Sequence, residues 1–394
     1  RFPWLPLPFF GLLALLLGGL AFLNTWDVLI VALLLGAAFL LHRARLFSWE
    51  WAARLEESFL LLLSLALGAI LLYLPFFLSF SSQARGVLPN LVNPTRGAHL
   101  WVMFGPLFVP LFFYLWKEKP SWKDGKVAWM WGMAGGLLIL SLLLLASWGI
   151  AILVGNFAPQ LRQDFLAAQG VPDEWTLLRA ALARRLTYGF SALTLLALLA
   201  FALVHLITAS PLHRPPSAVL LQPFFTLLLA LGVLWVLIPD FFFLSDQFGW
   251  RMNTVFKFYY QAWLFLGLAA AYALSVLWAE GRVRGLGGLL ILFALLAGLV
   301  YPALGWWDRI GKVTSLRTLT LDDFRRLERF QPAEARAIRY LQAAPFGVVA
   351  EAIGGSYTDY GRVAAYSGLP SVLNWPGHEV QWRGSAAPQG PPHR

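Results

Sequence analysis

The sequence contains no cysteine and little charge. Without cysteine among its 394 residues, the chain can form no disulfide or thiolate metal site, and it has no cysteine nucleophile. Charged residues make up 13% of the chain, against about 25% in an average soluble domain. His205 is the only ionisable residue near the middle of a long apolar segment. Ion-coupled transporters need intramembrane carboxylates or proton relays, so this scarcity argues against a proton- or sodium-driven transporter.

Apolar residues account for 59% of the chain and fall into long blocks. A membrane-crossing helix needs about 20 of them. Nine blocks are candidates: 4–23, 26–41, 58–80, 98–116, 129–155, 187–209, 218–239, 258–280 and 285–304. The sequence therefore predicts an α-helical polytopic membrane protein with about nine transmembrane helices over residues 1–304. The more polar residues 305–394 are predicted to form a small extracytoplasmic α/β domain, with a helix at 332–344 and strands at 346–350 and 371–373.

Positive charge is unevenly distributed among the predicted loops. Taken together, four loops are denser in lysine and arginine than the other four: 42–57, 117–128, 210–217 and 281–284. Cytoplasmic loops carry an excess of these residues, so this set is predicted to face the cytoplasm of a plasma membrane. The polar segments at 24–27 and 240–257 and the tail would then face outward. We interpret the net charge of +10 as topology signals and contacts with membrane lipids, with no nucleic-acid partner.

The most polar segment beside two spans runs from Asp240 to Trp263. Its polar residues include Asp240, Asp246, Arg251, Asn253, Thr254, Lys257 and Gln261. If the segment from Arg251 onward is helical, the last four of these share one face. Arg251 and Lys257 could bind phosphate, and the two aspartates could hold a divalent metal, a hydroxyl group or those same cations. The alternative is a salt-bridged loop that pins two helices together.

Three other connecting segments carry polar side chains. The turn at 24–27 places Asn24 and Asp27 at the mouth of a helix pair, where they could line a pocket or act as helix caps. In the loop at 156–186, apolar residues recur at helical spacing with arginines nearby, which predicts an amphipathic helix in the interface. Its apolar residues are Trp175, Leu178 and Leu182. The loop at 81–97 is rich in turn formers and is expected to be solvated.

The end of the tail gathers side chains that bind sugars or polar headgroups. Tryptophans can stack on a sugar ring, and polar side chains can hydrogen-bond its hydroxyls. The residues are Trp375, His378, Glu379, Gln381, Trp382 and Arg383. His378 and Glu379 do not begin a zinc-protease motif, because no histidine follows the glutamate three residues later.

Three segments together resemble a known family. They are NTWD at 24–27, RMNTVFKFYYQAW at 251–263 and EAIGGSYTDYGRVAAYSGLPSVLNWPGHEVQWRG at 351–384. On these segments the chain is similar to the YYY membrane-protein family of bacteria and archaea, which is grouped with the GT-C glycosyltransferases. Those enzymes use lipid-phosphate-linked sugars outside the membrane. The resemblance therefore implies a GT-C-like fold and a polyprenyl-phosphate-linked sugar as partner.

The sequence departs from the family in one respect. It lacks the tyrosine triplet that gives the family its name, since Tyr259 and Tyr260 form a pair within a different motif. GT-C enzymes normally carry their catalytic carboxylate in the first outer loop, which the resemblance implies is upstream of Arg1. We therefore expect the chain to be a piece of a longer protein, and to need the missing N-terminal half for catalysis.

The resemblance implies a transferase that moves a sugar from a polyprenyl-phosphate donor to an extracytoplasmic acceptor. Asp27 and Asp240 are the candidate catalytic carboxylates, and a supporting role for them is favoured over that of the base. Arg251 and Lys257 would neutralise the phosphate leaving group, and the tail would bind acceptor or donor. The alternatives are a lipid or polysaccharide flippase or transporter, and a non-catalytic envelope scaffold.

The cysteine-free sequence allows a direct test of the predicted orientation. Lys123→Cys places a thiol in the loop at 117–128, and Thr320→Cys places one in the tail. Because only the tail is predicted to face outward, an impermeant thiol reagent on intact cells should label position 320 and spare position 123. In permeabilised cells, the control, both positions should react. Labelling of position 123 with protection of position 320 on intact cells would reverse the topology.

Overall fold

The computed structural model describes residues 5–46, 51–80, 86–208, 216–246, 249–311 and 320–383. Helices α1 to α6 are Leu7–Leu23, Thr25–Leu46, Trp51–Leu72, Leu74–Ser79, Gly97–Glu118 and Trp122–Phe157. Helices α7 to α12 are Pro159–Gln169, Glu174–Thr187, Phe190–Thr208, Pro216–Leu237, Met252–Ala279 and Gly285–Gly311. Helices α13 to α16 are Asp323–Phe330, Pro332–Gln342, Arg362–Ser367 and Pro376–Arg383. The strands are β1 (Val87–Pro89) and β2 (Phe242–Leu244), and a 3₁₀ turn covers Ile238–Asp240.

Eight helices in the described ranges are long and apolar enough to cross a membrane: α2, α3, α5, α6 and α9 to α12. Helix α1 is also apolar but only 17 residues long. The prediction of an α-helical polytopic membrane protein is confirmed. Several helices differ at their ends from the approximate spans: α3 is Trp51–Leu72 where 58–80 was predicted, and α11 begins at Met252, close to the start considered for a helix from Arg251 onward. Polar side chains are accommodated in its first turns because they pair with neighbouring elements.

The main hydrophobic core lies among α5, α9, α10 and α11. Phe104 of α5, Leu195 of α9, Leu228 of α10 and Leu266 of α11 are all fully buried there. Helices α1, α2 and α3 pack together around Leu65, and α2 also contacts α10 and α11. This arrangement brings the turn between α1 and α2 to the first turns of α11.

Helix α6 approaches α9 closely through two glycines. A Cβ atom at Gly132 would lie 2.4 Å from Val204 Cγ2 and 3.0 Å from the backbone oxygen of Ala200. One turn later, a Cβ atom at Gly136 would lie 3.1 Å from Leu196 Cδ1. Small residues four apart let two membrane helices approach, and this pair has that role.

The end of the 81–97 loop is buried and not solvated as expected. Strands β1 and β2 form an antiparallel ribbon, with Val87 opposite Leu244. Asn90, directly after β1, and Thr95, five residues further on, are buried. Residues 91 and 92 pack against α8, the amphipathic helix predicted for the next long loop. The expectation of a solvated loop is wrong for residues 90–92 and 95, because α8 and neighbouring elements cover them, and residues 81–85 lie outside the described residues.

Helix α8 packs on the protein by a face other than the one predicted to lie in the membrane interface. Leu177 and Ala181 are its buried residues, whereas Trp175 is 73% exposed. Four-residue steps from Leu177 reach Ala181 and then Arg185, so the packed face ends in a guanidinium group. The helix therefore carries a positive charge to the interior of the bundle.

The chain divides into two compact units, and the second begins at Tyr301. In the second unit, Leu327 and Ile338 form a small core between α13 and α14. The predicted helix at 332–344 corresponds to α14. The predicted strands are reduced to one parallel bridge between Val349 and Ser371, because Pro370 lacks the N–H group that would extend a ladder. The described part of this unit is thus helical with a single bridge and has no sheet.

The glycine contact between α6 and α9 gives a stability prediction. Gly132→Val should lower the melting temperature of the detergent-solubilised protein, because overpacking a tight contact costs about 1–3 kcal/mol. Gly149→Val on the same helix is the matched control, since a Cβ atom there meets nothing within 4 Å. Equal melting temperatures for the two variants would show that the α6–α9 contact is loose.

Candidate functional site

Two polar clusters meet the first turns of α11, and both belong to the first unit. The first, here called the Asp240 network, consists of Thr95, Arg185, Asp240, Arg251 and Tyr259. The second, here called the Lys257 cluster, consists of Asn24, Trp26, Asp27, Asp246, Asn253 and Lys257. The polar residues of the segment from Asp240 to Trp263, which are one group in the sequence, are thus divided between two clusters.

Asp240 is the centre of the first network and is 3% exposed. Its Oδ1 atom accepts hydrogen bonds from the Thr95 backbone N–H at 3.1 Å and the Thr95 hydroxyl at 2.5 Å. Arg251 Nη1 donates to the same oxygen at 2.8 Å and to the Pro239 carbonyl at 3.2 Å. The Tyr259 hydroxyl lies 2.9 Å from Thr95 Oγ1. A buried charge is stable only when it is paired and hydrogen-bonded, and this one is.

Arg185 joins α8 to the same network. Its Nη2 atom donates to the carbonyl oxygens of Asn90 at 2.8 Å and Asp240 at 2.9 Å. The guanidinium carbon also lies 4.6 Å from the centroid of the Phe241 ring. Burial lowers the pKa of Arg185 from its ordinary value, and the Asp240 charge opposes that change. Arginine remains protonated in proteins, so the network contains two guanidinium groups and one carboxylate.

This geometry favours the second interpretation of Asp240 and Arg251, a salt bridge that pins two helices together, here called a clamp. A catalytic base must come within hydrogen-bond reach of a substrate proton. The described neighbours of the Asp240 carboxylate enclose it and leave little surface for a substrate. The guanidinium group of Arg251 is directed at protein oxygens. The Asp240 carboxylate cannot contact a ligand without breaking this network, and Arg251 is held in it through its Nη1 atom.

The Lys257 cluster is arranged differently. Lys257 lies in the second turn of α11 and is half-buried. Its Nζ atom donates to Asn24 Oδ1 at 3.3 Å and lies 5.9 Å from the Trp26 ring centroid. The negative charges of Asp27 and Asp246 also act on this ammonium. An ammonium group has three donors, so Lys257 keeps donors for a ligand.

Of the remaining polar residues of the segment, Asn253 belongs to the Lys257 cluster and Thr254 has a structural role. Asn253 Nδ2 donates to Asp246 Oδ2 at 2.7 Å. Thr254 is 2% exposed, and its hydroxyl oxygen accepts from the Leu244 backbone N–H at 2.8 Å. Thr254 therefore ties β2 to α11 and does not face the cluster. Gln261 lies one turn beyond Lys257 and is half-buried.

Sequence reasoning missed four residues of the Asp240 network and its support. They are Asn90, Thr95, Arg185 and Tyr259. Arg185 had a signal, since it follows Leu177 at two four-residue steps on the packed face of α8. Thr95 had none, because its partners are far away in sequence. Asn90 Nδ2 likewise donates at 3.2 Å to the Pro239 and Asp240 carbonyls, about 150 residues later.

The predicted sugar-binding residues of the tail lie in the second unit. The rings of Trp375 and His378 pack with their centroids 4.9 Å apart, and Tyr357 lies 4.9 Å from His378 and 5.7 Å from Trp375. Glu379 follows on α16 and is half-buried. The predicted residues Gln381, Trp382 and Arg383 end α16, and their side chains lie outside the described residues.

The two aspartates of the Lys257 cluster do not form a metal site with other carboxylates. Over the described ranges, no group of three or more histidine, aspartate or glutamate side chains is arranged to hold a metal ion. Asp27 and Asp246 have the Lys257 ammonium beside them instead, and its positive charge would oppose that of a divalent cation. The cluster thus offers one ammonium donor for an anion and two carboxylates that can accept hydrogen bonds from hydroxyl groups.

Comparison with known proteins identifies a family and nothing more specific. A family model described as "Uncharacterized membrane protein (DUF2298)" matches residues 4–266, more than half of the chain. The match includes both polar clusters. No curated protein matches the chain significantly, and no solved structure does.

The clamp assignment predicts that the Asp240 network is needed for folding. Asp240→Ala or Arg251→Ala should lower the melting temperature and the amount of protein in the membrane. Losing one partner of a buried ion pair costs about 3–5 kcal/mol. Lys257→Ala is the control, because Lys257 lies outside this network. Melting temperatures for Asp240→Ala and Arg251→Ala that equal the wild-type value would argue against a clamp.

Proposed function

We propose that this protein, which belongs to the DUF2298 family of uncharacterized membrane proteins, is a glycosyltransferase that uses a polyprenyl-phosphate-linked sugar. The observation that carries the proposal is the Lys257 ammonium, which keeps unused donors beside two carboxylates. Transfer from a lipid phosphate needs positive charge for the leaving phosphate and a carboxylate for the acceptor hydroxyl. The Lys257 cluster contains both kinds of group.

The depth of Lys257 suits a lipid phosphate. It lies five residues after the first residue of α11, or about 8 Å along a helix that rises 1.5 Å per residue. That distance from the end of a membrane span is compatible with the headgroup region. Half-burial lowers the local dielectric constant and strengthens the attraction between the ammonium and an anion. Arg251 is left out of this role because its guanidinium is bound to Asp240.

The cluster supports a specific assignment of roles. The oxygen of the acceptor hydroxyl attacks the anomeric carbon of the donor sugar, and the bond from that carbon to the phosphate oxygen breaks. The bonding pair stays on the phosphate, whose charge Lys257 neutralises. A carboxylate takes the hydroxyl proton, and among the described residues Asp27 is the candidate for this role or for its support, since Asp240 is enclosed. Asn24, Asp246 and Asn253 offer amide and carboxylate groups to the sugar hydroxyls.

The charge of the predicted loops supports reaction on the outer side of a plasma membrane. The turn at 24–27 and the start of α11 lie at the ends of spans that the loop charges orient outward. A polyprenyl-phosphate donor on that side would meet an extracytoplasmic acceptor. The aromatic group at Trp375 and His378 is proposed as a further carbohydrate contact, because aromatic rings stack on sugars.

Radiolabelled polyprenyl-phosphate hexoses provide the test. Membranes containing the full-length protein should transfer label to an acceptor fraction, and Lys257→Ala in it should reduce the affinity for the donor at least about tenfold. A hydrogen bond to a charged group contributes about 1.5–3 kcal/mol, and 1.4 kcal/mol is a factor of ten. Asp27→Asn should reduce kcat more than donor binding, since it removes the proton acceptor and keeps the shape.

Lys117→Ala is the matched control, because it removes a lysine near the other end of a span, at the end of α5. It should leave transfer unchanged. Failure of the full-length wild-type protein to transfer label from any polyprenyl-phosphate hexose would reject the proposal. Movement of the labelled lipid between leaflets without transfer would instead identify a flippase. Transfer that survives both Lys257→Ala and Asp27→Asn would locate the chemistry elsewhere.

A further inference from the structure

A cavity of about 400 Å³ lies in the first unit, and no residue of the Lys257 cluster lines it. It is enclosed by the last turns of α6, by α7 and α8, and by the β1–β2 ribbon. Its volume falls in the range of about 300–1,000 Å³ that is usual for small-ligand sites. The glycosyl transfer proposed above does not account for it.

The walls of this cavity are mostly apolar. Ala151 and Ile152 contribute from α6, Phe165 from α7 and Leu177 from α8. The lining also contains one arginine and one glutamate, Arg162 and Glu174, which pair with each other at 3.2 Å. This pair leaves the lining without net charge. Apolar cavities hold no ordered water, so the walls suit an apolar ligand and not an ion.

One wall of the cavity belongs to a candidate membrane span with exposed apolar side chains. Ile152 lines the cavity and is also 62% exposed, and its neighbour Leu153 is exposed as well. Both belong to a membrane span, 125–157, in which few side chains are buried by protein. Helix α7 starts directly beyond this span and closes the cavity from the far side. Lipid hydrocarbon is therefore the apolar material in direct reach of the opening.

We propose that this cavity binds the hydrocarbon chain of a membrane lipid. The apolar walls select the chain, and the Arg162–Glu174 pair marks the polar edge of the site. The chain can come from a bulk phospholipid or from a polyprenyl lipid, and both present the same chemistry to these walls. Lipid binding in this cavity is independent of glycosyl transfer and is tested separately.

A bound chain would contact the elements that hold the polar clusters. Phe243 lines the cavity, and the next residue, Leu244, donates its backbone N–H to Thr254 of α11. Leu91 also lines it, and the preceding residue, Asn90, holds the carbonyl of Asp240. Filling the cavity should therefore stabilise the ribbon and the start of α11 together. Lipid should raise the melting temperature of delipidated protein.

The test uses protein in nanodiscs that contain a phospholipid with a diazirine in the middle of one acyl chain. Light should attach this probe to the cavity-lining peptides around 88–91, 148–155 and 161–166. Ala151→Phe fills the cavity and should reduce that labelling at least about fivefold. Gly149→Phe is the control, because a Cβ atom there meets nothing within 4 Å. Leu161→Trp fills the cavity from α7 and serves if Ala151→Phe does not fold.

A parallel reaction with a diazirine-bearing polyprenyl phosphate distinguishes the source of the chain. Labelling of the cavity by either probe supports the proposal. The probe that labels the cavity more strongly identifies the class of lipid that is bound. Melting curves after delipidation should show stabilisation by lipid in wild type and Gly149→Phe, and less in the filled variants. Labelling confined to the outer surface of α6, or unchanged when the cavity is filled, would overturn the proposal.

Discussion

The ion pair and hydrogen bonds of the Asp240 carboxylate organise the polar end of the helix bundle. A carboxylate with 3% exposure beside a membrane cannot remain unpaired. Its partners are Arg251 from the start of α11 and Thr95 from the segment before α5. Arg185 adds α8 through the Asp240 carbonyl. One buried charge thus fixes four separate parts of the chain against each other.

This constraint decides which cation can act on a ligand. Arg251 and Lys257 are six residues apart, and from the sequence both suit a phosphate. Asp240 holds Arg251 in the network through Nη1, whereas Lys257 lies in the more open cluster and keeps donors there. The same division leaves Asp27, and not Asp240, as the carboxylate beside a ligand. The proposed transfer chemistry depends on this separation between a rigid clamp and an open cluster.

The β1–β2 ribbon connects the clamp to the apolar cavity. One face of this ribbon meets the cavity through Leu88 and Phe243, and its end is bound to Thr254 of α11. Lipid in the cavity and charge pairing at Asp240 would therefore stabilise the same segment. Membrane proteins tolerate irregular backbone only where protein or a cavity covers it, and here α8 supplies that cover.

The sequence alone determined the class of protein and the position of most spans, because a run of about 20 apolar residues is a local property. It also identified the segment from Asp240 to Lys257, because clustered charge beside a span is visible locally. Tertiary structure decided the start of α11, the packed face of α8 and the partner of each charge. Thr95 reaches Asp240 across 145 residues, and no local pattern encodes that pairing. Charge partners are chosen by where the folded chain brings them, because the energy of an ion pair depends on distance and burial and not on spacing in the sequence.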